Sequence, residues 1–352
     1  MRAVPALVVG TGFGCRIHVP ALRAAGFEVV GLVGTNPGKL EKRAGQAGVA
    51  RWFTDLDEAI TATRAETVTI ATPPATHAAL TLRAIARGCH VLCEKPFAFD
   101  AGQAQAMLDA AERAGVVHMV AHEFRWLPDR ALFGRAIADG LIGEPRFLAM
   151  DQFIPFCADP ATPLPRWWFD PAAGGGWLGA GGSHLIDQIR AWLGDFASLS
   201  GRLLLVSERE ADCEDSYSLR FMLESGVEGS MQQSAGAWGP MTTLWRCVGT
   251  RGTVWTEGGE VRIADRNGTR TLPVPDDLRL PLPPPAQDGA ARLSHFEIGP
   301  FTRLAEALHA AITGRTACAP VAVPTFADGL AAMRVLDAIR ASSAAGGALV
   351  RP

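Results

Sequence analysis

No stretch of this chain approaches 18 uninterrupted apolar residues, so no part of it reads as a membrane-spanning helix. Cysteine is sparse: Cys15, Cys89, Cys93, Cys157, Cys213, Cys247 and Cys318 make an odd number and include no C-x-x-C pair. That pattern fits reduced thiols and argues against a disulfide framework or a zinc site, so no metal is expected. An excess of basic residues is also missing, with 33 Lys and Arg against 36 Asp and Glu and a net charge of -3. Without a clustered Lys/Arg stripe, nucleic acid is an unfavourable partner. The start, MRAVPALVVGTG, lacks the charged region, long apolar core and cleavage site of a secretory leader, and a cytoplasmic protein is expected. No internal repeat is visible. What is present is an ordinary globular composition over 352 residues, enough for two domains that each bury a core.

The first half alternates short apolar runs with helical segments. Ala6 to Val9 reads as a parallel strand covered on both faces, and Gly10-Thr11-Gly12-Phe13-Gly14-Cys15 leads from it into a helix from Arg16 to Ala25. Glycines at 10 and 12 let the backbone turn sharply and approach a pyrophosphate, which the free N–H groups at a helix start attract. Cys15 occupies the third fingerprint position, where a small side chain still permits close helix–strand packing. Gly10, Gly12, Phe13 and Gly14 are therefore candidate dinucleotide contacts.

The second strand, Glu28 to Val33, ends in Gly34-Thr35-Asn36-Pro37. A carboxylate at such a strand end normally binds the ribose hydroxyls of NAD, and this position holds Gly34 instead. With Thr35, Asn36, Lys39 and Arg43 following, NADP(H) is favoured over NAD(H). The alternative is that Asn36 only caps the next helix and that Lys39 and Arg43 are solvated.

A third unit supplies the strand Thr67 to Ala71 and the loop Thr72-Pro73-Pro74-Ala75-Thr76-His77. A fourth supplies Cys89 to Leu92 and then Cys93-Glu94-Lys95-Pro96-Phe97. Proline restricts the residue before it, so Lys95 is a positive charge held in one place at a strand end. The pattern predicts a doubly wound parallel sheet, the α/β Rossmann type, whose ligands sit beyond the carboxyl ends of the strands. Thr72, Pro73, His77, Glu94 and Lys95 join the glycine loop there as expected cofactor contacts. After a helix from Ala101 to Ala114 and a strand from Val116 to Ala121, a domain boundary is expected near residue 123, giving domains 1–123 and 124–352.

The order of GTGFGCRIHVPAL (10–22), ATPPATHAAL (71–80), CEKPF (93–97), HEFRWLPD (122–129) and GGGWLGAGGSHLIDQ (174–188) resembles the Gfo/Idh/MocA family, the glucose-fructose oxidoreductase and inositol dehydrogenase type. The resemblance implies a Rossmann domain followed by an α+β domain. The second domain's large, mostly antiparallel sheet carries the substrate and commonly makes the interface of a homodimer or homotetramer. It also implies NAD(P)-dependent hydride transfer at a secondary alcohol of a sugar, glycoside or cyclitol. In these terms Lys95 is the catalytic-site lysine, and the resemblance admits a cis Lys95–Pro96 bond.

In the second half, Trp167 lies in an Arg-Trp-Trp-Phe-Asp run whose aromatics suit a sugar's apolar ring faces, and equally suit packing. His184 and Asp187 are three apart on one helix that starts near Leu178. An imidazole titrating near neutrality can take the hydroxyl proton as hydride leaves, and His184 stands where the family carries its catalytic histidine. Arg125, Trp167, His184 and Asp187, with Lys95, are the expected substrate contacts. One departure matters: the family commonly has an aspartate four residues before that histidine, and here the residue is Ala180. Three outcomes stay open. The site works with Lys95 and His184 alone, another carboxylate completes it (Glu123, Asp170 or Asp187), or hydride chemistry has been lost. A nucleotide-retaining lyase or glycosidase and a non-catalytic sugar or nucleotide sensor are therefore alternatives to the dehydrogenase.

Further strands are expected at Leu203–Val206, Ser216–Leu223, Val227–Ser234, Leu244–Gly249, Gly252–Glu257 and Val261–Ala264, with turns at Glu224–Gly226 and Asn267-Gly268. A proline-rich excursion over 273–289 and helices over 295–313 and 325–343 complete the chain.

Overall fold

The structure, a computed structural model, describes residues 3–280, 289–315 and 320–352, with the backbone alone over 289–295. In chain order its first strands and helices are β1 (Val4–Val9), α1 (Val19–Ala24), β2 (Phe27–Val33), α2 (Pro37–Gln46), β3 (Trp52–Phe53), α3 (Leu56–Thr63), β4 (Thr67–Ile70), α4 (His77–Ala86), β5 (His90–Cys93), α5 (Ala101–Ala114) and β6 (His118–Val120). There follow α6 (Pro128–Ala138), β7 (Pro145–Phe153), α7 (Ser183–Leu193), β8 (Phe196–Leu204), β9 (Ser216–Leu223), β10 (Glu228–Ser234), β11 (Thr242–Gly249), β12 (Gly252–Glu257), β13 (Glu260–Asp265) and β14 (Gly268–Leu272). Helices α8 (Gly289–Ile312) and α9 (Phe326–Ala344) close the chain.

Strands β1 to β6 form an all-parallel sheet in the order β3-β2-β1-β4-β5-β6. This is the Rossmann arrangement, with the chain reversing direction across the sheet at β1. Val4, Ala6, Leu7 and Val8 are fully buried, as the continuous apolar run demands of a strand covered on both faces. Side chains start the helices where the sequence supplies caps. Asp55 caps α3 through the Glu58 N–H at 2.9 Å, and Asp100 caps α5 through the Gln103 N–H at 2.8 Å.

Eight strands form the second sheet, in the order β14-β13-β12-β11-β7-β10-β9-β8, antiparallel throughout except for the β7–β10 pair. Alternation sorts its faces. On β7, Leu148, Met150 and Gln152 are buried, whereas Phe147 and Phe153 are exposed. A polar ladder crosses four strands on the inner face: Tyr217 Oη donates to Gln233 Oε1 at 2.8 Å, Gln233 Nε2 donates to Gln152 Oε1, and Gln152 Nε2 donates to Thr243 Oγ1 at 3.2 Å. With its partners in place, each buried amide avoids the cost of an unpaired polar group.

The chain divides into two compact units, 1–127 with 280–330 and 128–279 with 331–352. This differs from the expected division at 123 because α8 packs into the first unit. Its Phe301, Leu304, Ala305 and Leu308 join Ile17, Val19 and Leu22 in one buried cluster. Two strand readings also change. Paired with β9, β8 begins at Phe196 rather than Leu203 and ends at Leu204, so Leu205 and Val206 lie beyond it, and β14 was not anticipated. Part of the proline-rich excursion, 281–288, lies outside the described residues, as does Cys318.

Candidate active site

In the first unit, three loops emerge at the carboxyl ends of the adjacent strands β1, β4 and β5. Gly10 has φ +110°, and a Cβ there would fall 2.2 Å from the Ala71 carbonyl oxygen, so only glycine lets the loop after β1 lie against the loop after β4. At Gly14 a Cβ would fall 2.7 Å from Val8. Gly12 differs: a Cβ there would meet nothing within 4 Å, so open space lies in front of this backbone. A five-residue π-helical turn, Gly14–His18, then leads into α1. Close backbone at 10 and 14 with open space at 12 fits a dinucleotide pyrophosphate, which the backbone of residues 10–14 would hold.

At the end of β2 the side chain of Asn36 accepts the Lys39 N–H at 3.0 Å and caps α2, while Thr35 is exposed. The capping alternative for Asn36 is therefore the observed one. A side chain at Gly34 would press on its neighbours, since a Cβ would lie 3.2 Å from Thr11 and 3.3 Å from Leu40.

His77, expected among the cofactor contacts, is fully buried and acts on the loops instead. Its Nε2 lies 2.7 Å from the Thr72 carbonyl and its Nδ1 lies 3.0 Å from the Pro96 carbonyl. A neutral ring donates to only one of these at a time. Burial outweighs the two carbonyls and pulls its pKa below the ordinary histidine value. Arg125, expected at the substrate, is also committed elsewhere. Its guanidinium pairs with Asp328 at 2.9 Å and donates to the Ala322 carbonyl at 3.0 Å, with the side chain only 4% exposed.

Lys95 is half-buried and precedes a cis bond to Pro96. Its N–H donates to Glu94 Oε2 at 3.2 Å, while Glu94 Oε1 accepts from His18 Nε2 at 3.0 Å. Two more acids feel the same charges. Glu123 is 1% exposed, and among the described residues neither of its carboxylate oxygens has a hydrogen-bond partner. Burial, reinforced by Glu94, raises its pKa well above the usual range, and Lys95 opposes the shift. Burial likewise pushes Glu297 up to about 7, with Lys95 and Arg16 pulling down and Glu94 pushing up. A carboxyl that stays protonated in the fold and ionises when unfolded makes the protein less stable as pH rises from its unfolded value towards 7. Glu297→Gln is therefore expected to leave stability unchanged near pH 4 and to raise it at pH 8 by roughly 1–3 kcal/mol. Urea unfolding at the two pH values checks this.

The second unit carries His184, 4% exposed, in the first turn of α7. A π-helical turn over Leu178–Gly182 precedes it, and such turns recur at functional sites. Packing against this turn requires glycine: a Cβ at Gly182 would lie 3.0 Å from Tyr217 Oη, and one at Gly176 would lie 2.2 Å from Glu214 Oε1. Asp187 is buried on the same helix. Asp170 is exposed and accepts the Ala172 N–H at 2.9 Å in a local turn. Trp167 stacks edge-on against Trp168 at 6.2 Å, but Trp168, not Trp167, lines the small cavity that also contains Ala180 and Glu214. Glu214 escaped the sequence reading because it sits in the acidic run Asp212 to Asp215, which looks like a solvated turn. His18 was missed because no spacing ties it to Glu94.

Among the described residues no group of three or more His, Cys, Asp or Glu is placed to hold a metal ion, and no helix is long and apolar enough to cross a membrane. Residues 4–122 match the family model described as the oxidoreductase family, NAD-binding Rossmann fold, and residues 133–255 match the Gfo/Idh/MocA C-terminal domain. The D-apiose dehydrogenase of Paraburkholderia graminis is 32% identical over 279 residues, spanning 75% of this chain and 70% of that protein. This chain belongs to the Gfo/Idh/MocA oxidoreductase family. The levoglucosan dehydrogenase of Pseudarthrobacter phenanthrenivorans is 29% identical over 58% of this chain and 61% of its own length. A solved levoglucosan dehydrogenase, in complex with NADH and levoglucosan, superposes with a TM-score of 0.85 at 25% identity, covering 99% of each chain. In this Gfo/Idh/MocA protein the NAD-binding Rossmann fold spans residues 4–122.

Proposed function

We propose that this protein moves hydride to or from a secondary alcohol of a sugar, glycoside or cyclitol, using a nicotinamide dinucleotide. The observation that carries this reading is the open space at Gly12 beyond the end of β1, in the same sheet as Lys95 beyond β5, in a chain whose relatives include apiose and levoglucosan dehydrogenases. When bound, the nicotinamide supplies the hydride acceptor or donor. Lys95 polarises and positions the reacting oxygen through its fixed charge, and His184 takes or returns the hydroxyl proton. The absence of a carboxylate at Gly34 supports NADP(H) over NAD(H), because nothing there repels a 2′-phosphate.

A titration of the fluorescence of the nine tryptophans with NADPH and with NADH tests the cofactor reading, and a panel of sugars and polyols then tests turnover. Tighter NADPH binding with dinucleotide reduction by at least one polyol is the expected result. A stripped protein that binds neither nucleotide overturns the reading. Ala180 favours a second reading, a sensor that binds sugar without oxidising it, and binding with no turnover across the panel would select it. We further propose a cytoplasmic homodimer or homotetramer. The outer face of the second sheet exposes Phe147, Phe153, Met222, Leu244 and Val248, an apolar area suited to a second copy, and light scattering reads the mass.

A further inference from the structure

Glu214 ties the fold together through its main chain and one carboxylate oxygen. Its Oε1 accepts the Leu178 N–H at 3.0 Å and its main-chain carbonyl accepts the Trp177 N–H at 2.9 Å, so the residue fastens the π-helical turn that leads to His184. The Leu178 bond engages Oε1 and not Oε2. The same side chain lines a small cavity with Trp168, Phe169, Trp177 and Ala180. The cavity's free volume is about 10 Å³, room for one hydroxyl at the edge of an aromatic wall and not for a whole ring, and Ala180 leaves the wall four residues before His184 without a polar group. Desolvation raises the pKa of Glu214 and Asp215 adds to it, while Arg340 and the N–H donors oppose. Either protonation state leaves an oxygen able to accept from a hydroxyl.

We infer that Glu214 is a substrate-binding residue whose Oε2 accepts a hydrogen bond from a hydroxyl of the polyhydroxylated substrate, filling the place that Ala180 leaves vacant. This rests on the sugar reading above, and the test separates the two. Glu214→Gln keeps an acceptor for Leu178 but presents an NH2 donor to the cavity, so it alters recognition while sparing the fastening. Glu214→Ala removes both. Binding of levoglucosan, D-apiose and myo-inositol is read by tryptophan fluorescence in the presence of whichever of NADPH and NADH binds more tightly, and turnover is read separately.

Both variants are expected to weaken binding of the best probe about 10- to 100-fold. Adding Ala180→Asp to Glu214→Gln, which returns a carboxylate to the same cavity, is expected to recover at least part of that loss. Wild-type affinity in Glu214→Gln with loss only in Glu214→Ala would mean that the residue merely holds the turn, and the inference falls. It falls also if none of the three probes binds the wild type. If the wild type turns over a polyol and Glu214→Gln binds it unchanged, the inference fails while the dehydrogenase reading stands. Glu214-dependent binding without any turnover keeps the inference and removes that reading.

Discussion

Lys95→Ala or Lys95→Met is expected to lower kcat by about a thousandfold, the size typical of removing a fixed charge that stabilises a developing oxyanion. The lysine lies two residues past the end of β5. Pro96 follows it, and the Lys95 N–H donates to Glu94 Oε2 at 3.2 Å. Little freedom remains at this position, so an arginine, whose planar fork needs a different approach, is not expected to substitute. Lys95 also moderates the buried acids Glu123 and Glu297, and both pKa values are expected to climb further without it. Stability therefore has to be followed beside turnover. A variant that unfolds at the wild-type temperature yet turns over a thousand times more slowly locates the effect in the chemistry. Wild-type rates in both variants would remove Lys95 from the mechanism.

The second large effect is expected at His184, where Ala or Asn should cost about 10²- to 10⁴-fold in kcat, the range for a positioned general acid or base. The imidazole is 4% exposed, on a helix whose start is set by a π-helical turn packed against Tyr217, itself tied through Gln233 and Gln152 to Thr243. That ladder keeps the helix start from drifting, which a proton-transfer residue requires. In Asn the limb of the pH–rate profile that reports the imidazole should vanish, and added imidazole should restore part of the rate to the Ala variant. An unchanged pH profile in both would assign the limb to another group.

Much of this was legible in the residues. The apolar run before Gly10, the proline after Lys95 and the two-residue alternation of β7 and β9 to β13 each constrain the backbone locally, and the two sheets followed from them. What could not be read depends on contacts distant in sequence. No pattern within residues 295–313 states that Phe301 packs against His18 with ring centroids 4.4 Å apart, so that packing could not be foreseen. Arg125 was expected among the substrate contacts, and its partner Asp328, 203 positions away, is invisible to local spacing. His77 was read as a cofactor contact because it opens a helix after a strand end, but the two carbonyls that claim it are fixed by the close approach of separate loops. Glu214 was hidden for the same reason: proximity to Ala180 is a property of the second unit's packing, not of the spacing between them.

The return of α8 to the first unit has a consequence for how the protein is made. During synthesis the whole first sheet emerges early, but the apolar surface formed by Ile17, Val19 and Leu22 finds its cover only when Phe301, Leu304 and Leu308 arrive. At typical elongation rates the delay after residue 127 is on the order of 10 s, longer than local helices and strands need to form. All of the second sheet is translated in that interval. The nascent chain therefore carries an uncovered hydrophobic face beside a growing antiparallel sheet, a natural point of engagement for a chaperone and a poor place to truncate an expression fragment.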